Sequence, residues 1–330
     1  MASSRQRLAS FADVSAPVHW NTSQYIAEYM IGSFTAARRG AHRHRQRLIW
    51  TQCSTCSQCV KRTCPTITRP SRTLSIQCHA TTPCARPTRS TPQSAARTAA
   101  ALSAFYGAGD ARGAWPRPLS LVSQTGAKKF SYCHTPYLRS NATAGASSHL
   151  FVGTSASLSC GSPVKSMSFV QGPKDYPFYY VPLVGISVGQ TRLSIPPTVF
   201  ALKENGTSGG VIVDWQPHYG TGPRAYGPLT KELRRQLNGA SCRPLIVDGA
   251  VCVAKEKTVP SMVFHFSGGA DMVLPPENYW VPLDDSTSCM VMETINGMSI
   301  IGNFQLQNMH LLYDLAKDEL SFQIADCSSL

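Results

Sequence analysis

An all-β fold is what this sequence predicts, and three observations carry the prediction. From Phe178 the chain reads FYYVPLVGISVGQTRLSI, where apolar and polar residues alternate and glycine punctuates the run. Val263-Phe264-His265-Phe266 and Asp271-Met272-Val273-Leu274 flank a Gly268-Gly269 turn and read as a hairpin. Helical spacing is scarce throughout.

The elements follow in order. Gly209-Gly210-Val211-Ile212-Val213-Asp214 is a short buried-strand pattern that ends on an acid. A helix is predicted from Pro228 to Leu237, with Leu229, Leu233 and Leu237 spaced to share one face. Pro228 suits its first turn and Gly239 the position past its end. The C-terminal run from Ile300 to Ile324 predicts two strands around a polar turn at Lys317-Asp318.

The first half does not match the second. Of 330 residues, 42% are hydrophobic and 15% charged, which is ample for a packed core and excludes wholesale disorder. The net charge of +13 is unevenly spread: residues 1–150 hold 19 Lys/Arg against 3 Asp/Glu, and residues 151–330 hold 12 against 15. Between Glu28 and Asp110 there is no acidic residue. Residues 61–100, rich in Thr, Arg, Pro, Ser and Ala, show neither a helical nor a strand period. Alone, such a segment reads as a disordered basic arm, but few aromatics interleave it and no recognition motif is present. No nucleic-acid partner is expected. No apolar run of about 18 residues exists, so no membrane span is expected. The N-terminus builds no apolar core, so no signal peptide is predicted.

The 12 cysteines are spread along the chain, which points to disulfides and an oxidising compartment. Three Asn-x-Ser/Thr triplets, at Asn21, Asn141 and Asn205, agree with that compartment. Cys53, Cys56, Cys59 and Cys64, with His79 as a further ligand, offer a zinc alternative. Their spacing fits no established zinc pattern, so no metal is expected.

Ile300-Ile301-Gly302-Asn303-Phe304-Gln305 through Tyr313-Asp314 resembles the plant, nepenthesin-like branch of the pepsin-type aspartic proteases. Leu320-Ser321-Phe322 to Cys327 does so too. Leu48-Ile49-Trp50-Thr51-Gln52-Cys53, Leu119 to Gln124 with Phe130 to Cys133, and Tyr180 to Asp214 fit the same family in the same order. The resemblance implies a two-lobed, all-β, pepsin-like fold with one catalytic Asp per lobe, acting on proteins or peptides without a cofactor, secreted and monomeric. It implies residues 1–40 as an N-terminal segment with a remnant first strand, 41–177 as a degenerate N-terminal lobe, and 178–330 as an intact C-terminal lobe. It also implies that Cys252 pairs with Cys289 and Cys133 with Cys327, that Gly302 is structural, and that Tyr106 is the tyrosine of the flap.

In this family two carboxylates about 3 Å apart share one proton. One acts as base on a water, and the other donates to the peptide carbonyl. Each sits in an Asp-Thr/Ser-Gly turn, where the hydroxyl orients the carboxylate and the glycine permits close backbone approach. Neither turn is present here. The first is replaced by His42-Arg43-His44-Arg45-Gln46-Arg47, and Asp214 is followed by Trp215-Gln216-Pro217. Asp214 matches the second catalytic Asp by position, and the first is missing. The expected activity is therefore impaired or absent, with a binding or inhibitor-like protein as the alternative. Both replacements have the form of a shifted reading frame. Codons for Ile-Asp-Thr-Gly-Ser-Asp, read from the third base, give Arg-His-Arg-Gln-Arg, as in Arg43 to Arg47. Codons for Ser-Gly-Ser-Pro-Ile-Thr give Trp-Gln-Pro-His-Tyr, as in Trp215 to Tyr219.

Overall fold

The computed structural model describes residues 13–21, 24–27, 100–104, 111–115, 127–136, 148–158, 161–172, 178–203, 209–214, 219–238, 241–242 and 250–330. The chain opens with the hairpin β1 (Asp13–Asn21) and β2 (Gln24–Ala27), then β3 (Ala100–Ala104) and β4 (Ala111–Trp115). β5 (Lys129–Cys133), β6 (Ser148–Gly153) and β7 (Lys165–Ser168) complete the strands before the Phe178 run. That run forms β8 (Leu183–Val188) and β9 (Thr191–Arg192). β10 (Val211–Val213) and β11 (Tyr219–Thr221) lead into the helix α1 (Pro223–Leu237). Next come β12 (Ser241–Cys242), β13 (Val251–Ala254), β14 (Met262–Phe266) and β15 (Asp271–Leu274). β16 (Trp280–Pro282), β17 (Thr287–Met290), β18 (Met292–Thr294) and β19 (Ser299–Ile301) follow. β20 (Met309–Asp314) and β21 (Glu319–Ile324) end the sequence of strands. The architecture is all-β, as the alternation predicts.

A seven-stranded sheet, in the order β2-β1-β6-β5-β20-β21-β7, draws strands from both ends of the described chain. One face is apolar. Tyr132, Leu150, Leu311 and Phe322 align across it, beside Phe130, Val152, Tyr313 and Leu320. These side chains continue into the core of the C-terminal sheets, so one hydrophobic cluster runs through both. The Cys133–Cys327 disulfide, spanning 194 residues of sequence, ties β5 to the turn after β21. The Cys252–Cys289 disulfide joins facing residues of β13 and β17.

The 263–266 and 271–274 hairpin forms with β14 starting one residue earlier. Gly268 and Gly269 both take positive φ, at 81° and 83°, a conformation glycine adopts without a Cβ penalty. The helix differs from expectation. It begins at Pro223, so Pro228 lies in its interior rather than its first turn. Pro223 is the proline that fills the initial position. Pro228 removes one backbone donor. The helix persists because Ala225, Tyr226, Leu229, Leu233 and Leu237 are all buried on one face. The residue past its end is Asn238, in a left-handed conformation with φ 34°; Gly239 lies outside the described residues. The Ile300 to Ile324 run also differs. It holds three strands rather than two, because β19 leaves for another sheet before β20 and β21 pair around Asp318. No helix among the described residues is long and apolar enough to cross a membrane.

Candidate active site around Asp214

β10 is three apolar residues, all buried, and it delivers Asp214 to the end of a strand in the molecular interior. β19 runs parallel to β10, pairing Val211 with Ser299 and Val213 with Ile301. It pairs on its other side with β11, antiparallel at Ile300 and Gly220. The strand from the distant C-terminal part of the chain is thus threaded between β10 and β11. This crossing fixes Asp214: its backbone N–H donates to the Ile301 carbonyl at 2.9 Å, and the residue is 2% exposed.

Two glycines make the approach to Asp214 possible. Gly209 and Gly210 have φ of 74° and 77°. A Cβ on Gly210 would lie 2.7 Å from Cδ1 of Tyr180, whose backbone bridges Ile212. Beneath the crossing, the Thr221 and Ser299 hydroxyls lie 2.9 Å apart. Burial pushes the Tyr219 phenol well above its usual range, against a smaller opposing effect of Thr221.

Gly302 follows β19 and begins a buried turn. Its carbonyl accepts from the Gln305 N–H at 3.1 Å, and its own N–H donates to Gln305 Oε1 at 3.3 Å. Asn278 pins this turn from outside. Its Nδ2 donates to the Gln305 and Gln307 carbonyls, each at 2.9 Å. Asn278, Gln305 and Gln307 are buried, and their hydrogen bonds satisfy the backbone of an irregular segment in the interior. Sequence reasoning missed Asn278, because nothing in its local pattern points across 27 residues to Gln305.

Asp214 also lies near an aromatic nest on the seven-stranded sheet. Tyr132 and Tyr313 share a hydroxyl contact of 3.0 Å, and the Phe130 and Tyr313 rings stack at 4.4 Å. Tyr313 is raised well above its usual value by burial first, then by Tyr132, Tyr179 and, least, the charge of Asp214.

The structure places the other expected residues as follows. Cys133 bonds Cys327 and Cys252 bonds Cys289, with Cα separations of 5.3 Å and 4.1 Å. Tyr106, the His42 to Arg47 segment, residues 215–218 and the Cys53 to Cys64 cluster lie outside the described residues.

Comparison with known proteins agrees with this architecture. The family described as Xylanase inhibitor C-terminal matches residues 178–324, the region that contains the whole Asp214 crossing. Aspartic proteinase nepenthesin-1 of Nepenthes gracilis is 37% identical over 64% of this chain and 48% of its own length. Nepenthesin-2 of the same species is 28% identical, covering 100% of this chain and 84% of its own. Aspartyl protease family protein 2 of Arabidopsis thaliana is 33% identical over 68% of this chain and 47% of its own. The chain thus spans about half the length of nepenthesin-1 and the Arabidopsis protein. Among solved structures, edgp superposes with a TM-score of 0.65 at 14% identity, covering 96% of both chains. Basic 7S globulin from soybean gives 0.59 at 14% identity, covering 95% of this chain and 97% of its own. Motif order and sequence relatives agree: the curated homologues of this chain are nepenthesins and other plant aspartic proteases of the pepsin type.

Proposed function

We propose that this chain is an aspartic endopeptidase by descent that keeps Asp214 as the remaining half of a two-aspartate site and does not itself cleave peptide bonds. The observation that carries this is the sequence after Asp214. Trp215-Gln216-Pro217 stands where the family needs a hydroxyl and a glycine. Proline fixes φ and donates no N–H, so it does not reproduce a turn whose amides hold a carboxylate pair. A basic run, His42 to Arg47, stands where the family carries its first aspartate, so the sequence lacks the Asp-Thr/Ser-Gly motif at both positions. We place the degenerate N-terminal lobe at 41–177, after a 1–40 segment, and the C-terminal lobe at 178–330. Gly302 serves the threaded crossing, and Tyr106 is assigned to the flap. A protein or peptide ligand, a monomeric state, an extracellular location and the absence of a cofactor complete the reading. Pepstatin-sensitive cleavage at acidic pH tests it, and none is expected.

A second reading is a binding or inhibitor-like protein on the same scaffold. The match to a family described as Xylanase inhibitor C-terminal favours it. It expects a protein or glycan partner held without turnover. The shifted-frame form of both altered loops is checked by sequencing the transcript across the codons for residues 29–118 and 211–225. A read that leaves the present frame intact supports the loss of the pair. A read that restores Asp-Thr-Gly and Asp-Ser-Gly returns the chain to a working peptidase.

A further inference from the structure

We propose that the outer face of the sheet β15-β14-β8-β9 carries a second site, a Ser187–His265–Asp271 relay that hydrolyses small carboxylic esters. The three residues come from three adjacent strands. Ser187 Oγ lies 2.7 Å from His265 Nε2, and His265 Nδ1 lies 2.7 Å from Asp271 Oδ1. These are the contacts a nucleophile, its base and an orienting carboxylate require, and such a set is recognised by geometry rather than by order in the chain. The tautomer follows from the chemistry. A carboxylate only accepts, so Nδ1 carries the hydrogen, and Nε2 is left to accept the Ser187 hydroxyl proton.

Backbone pairing holds the geometry. His265 sits opposite Asp271 on one side and Gly185 on the other. Ser187 sits opposite Val263 and, across the hairpin, opposite Arg192. Met262, Phe264, Met272, Ile186 and Val188 point the other way and are buried, so the strands cannot slip without exposing them.

An electrophile adjoins the serine. The Arg192 guanidinium overhangs Gly185, where a Cβ would come within 2.8 Å of its Cζ. A side chain at this position would have to displace the guanidinium. A permanent cation beside Ser187 is placed to stabilise an oxyanion formed there. On the other side Val263 and Val273, the latter 43% exposed, offer an apolar floor for a short acyl or alkyl group. Ser187 is 8% exposed, beneath the Arg192 side chain and beside His265, which restricts the site to small substrates and slow turnover.

The steps balance. Oγ bonds to the ester carbonyl carbon as its proton moves to Nε2, and the carbonyl electrons collect on oxygen facing Arg192. That oxyanion collapses, the carbon–alkoxide bond breaks, and the alkoxide leaves with the proton from Nε2. Water then attacks the acyl-serine, gives one proton to Nε2, and releases the carboxylic acid as Oγ recovers its proton. No step uses Asp214, so the site is independent of the reading given above.

The test treats the full-length protein with an alkyl fluorophosphonate and maps the adduct by peptide mass spectrometry, in parallel with hydrolysis of p-nitrophenyl acetate. The expected result is an adduct at Ser187, lost in Ser187→Ala, with ester hydrolysis lost in the same variant. Asp271→Asn is expected to slow hydrolysis by at least about tenfold, because the imidazole loses its orienting carboxylate. Thermal melting of each variant confirms that the fold is retained. No adduct, an adduct on another residue, or hydrolysis unchanged in folded Ser187→Ala overturns the proposal.

Discussion

His310 is a buried imidazole placed where a charge is hard to accommodate. It faces Cys133 of β5 and Gln323 of β21, and beyond Cys133 the same row continues to His149. It is 2% exposed, and neither ring nitrogen has a hydrogen-bond partner among the described residues. Burial lowers its value below the usual one. The sign of the linkage follows. The unfolded chain takes up this proton at about pH 6.5, while the folded chain holds out to lower pH. His310 therefore opposes folding increasingly as pH falls through about 6.5 toward its folded value, and the loss is complete below that value. His310→Phe is expected to flatten the fall of the melting temperature over that window, read by scanning calorimetry at stepped pH. An equally steep fall in the variant would mean that other groups set it. Gly210 is a second position where one residue type is required, and the reason is not local. Its place before a buried strand was legible as punctuation, but the Tyr180 ring that excludes a Cβ comes from a bridge 30 residues away in the chain.

At the scale of elements, pattern predicted what local chemistry decides. The β14–β15 hairpin was legible because Gly268-Gly269 lies between two alternating runs. The buried face of α1 was legible because leucines recur every fourth residue. Its start was misplaced because two prolines compete for the first turn, and only packing of Ala225 and Tyr226 settles that Pro223 takes it. Leu233 is fully buried on that face. Leu233→Ala is expected to cost about 2–5 kcal/mol in urea unfolding. A cost under about 1 kcal/mol would show that the helix does not depend on this face. What no pattern contained was register. The strand that crosses between β10 and β11 comes from residues 299–301, and the Ser187–His265 contact spans 78 residues. Both are created by strand pairing, so no local window holds them.

At the scale of the whole molecule, the seven-stranded sheet decides which parts depend on which. β20 and β21 pair beside β5 and β7, and the Cys133–Cys327 bond reinforces that closure. The C-terminal part of the candidate site was legible because the Ile300-Ile301-Gly302 motif and Asp214 could be identified with family elements that the fold then brings into contact. The partner half was not, because the basic run at His42 to Arg47 carries no acid for the sequence to point to. Asp214 is delivered by an intact strand crossing, and Trp215-Gln216-Pro217 after it departs in sequence from the family's Asp-Thr/Ser-Gly motif. The most direct measurement is hydrolysis of an unfolded protein substrate at acidic pH by the purified chain, with and without pepstatin, beside Asp214→Asn. No pepstatin-sensitive cleavage is expected, and no difference between the two proteins. Turnover that pepstatin blocks and Asp214→Asn abolishes would contradict it, and would mean that Asp214 has found a second acid.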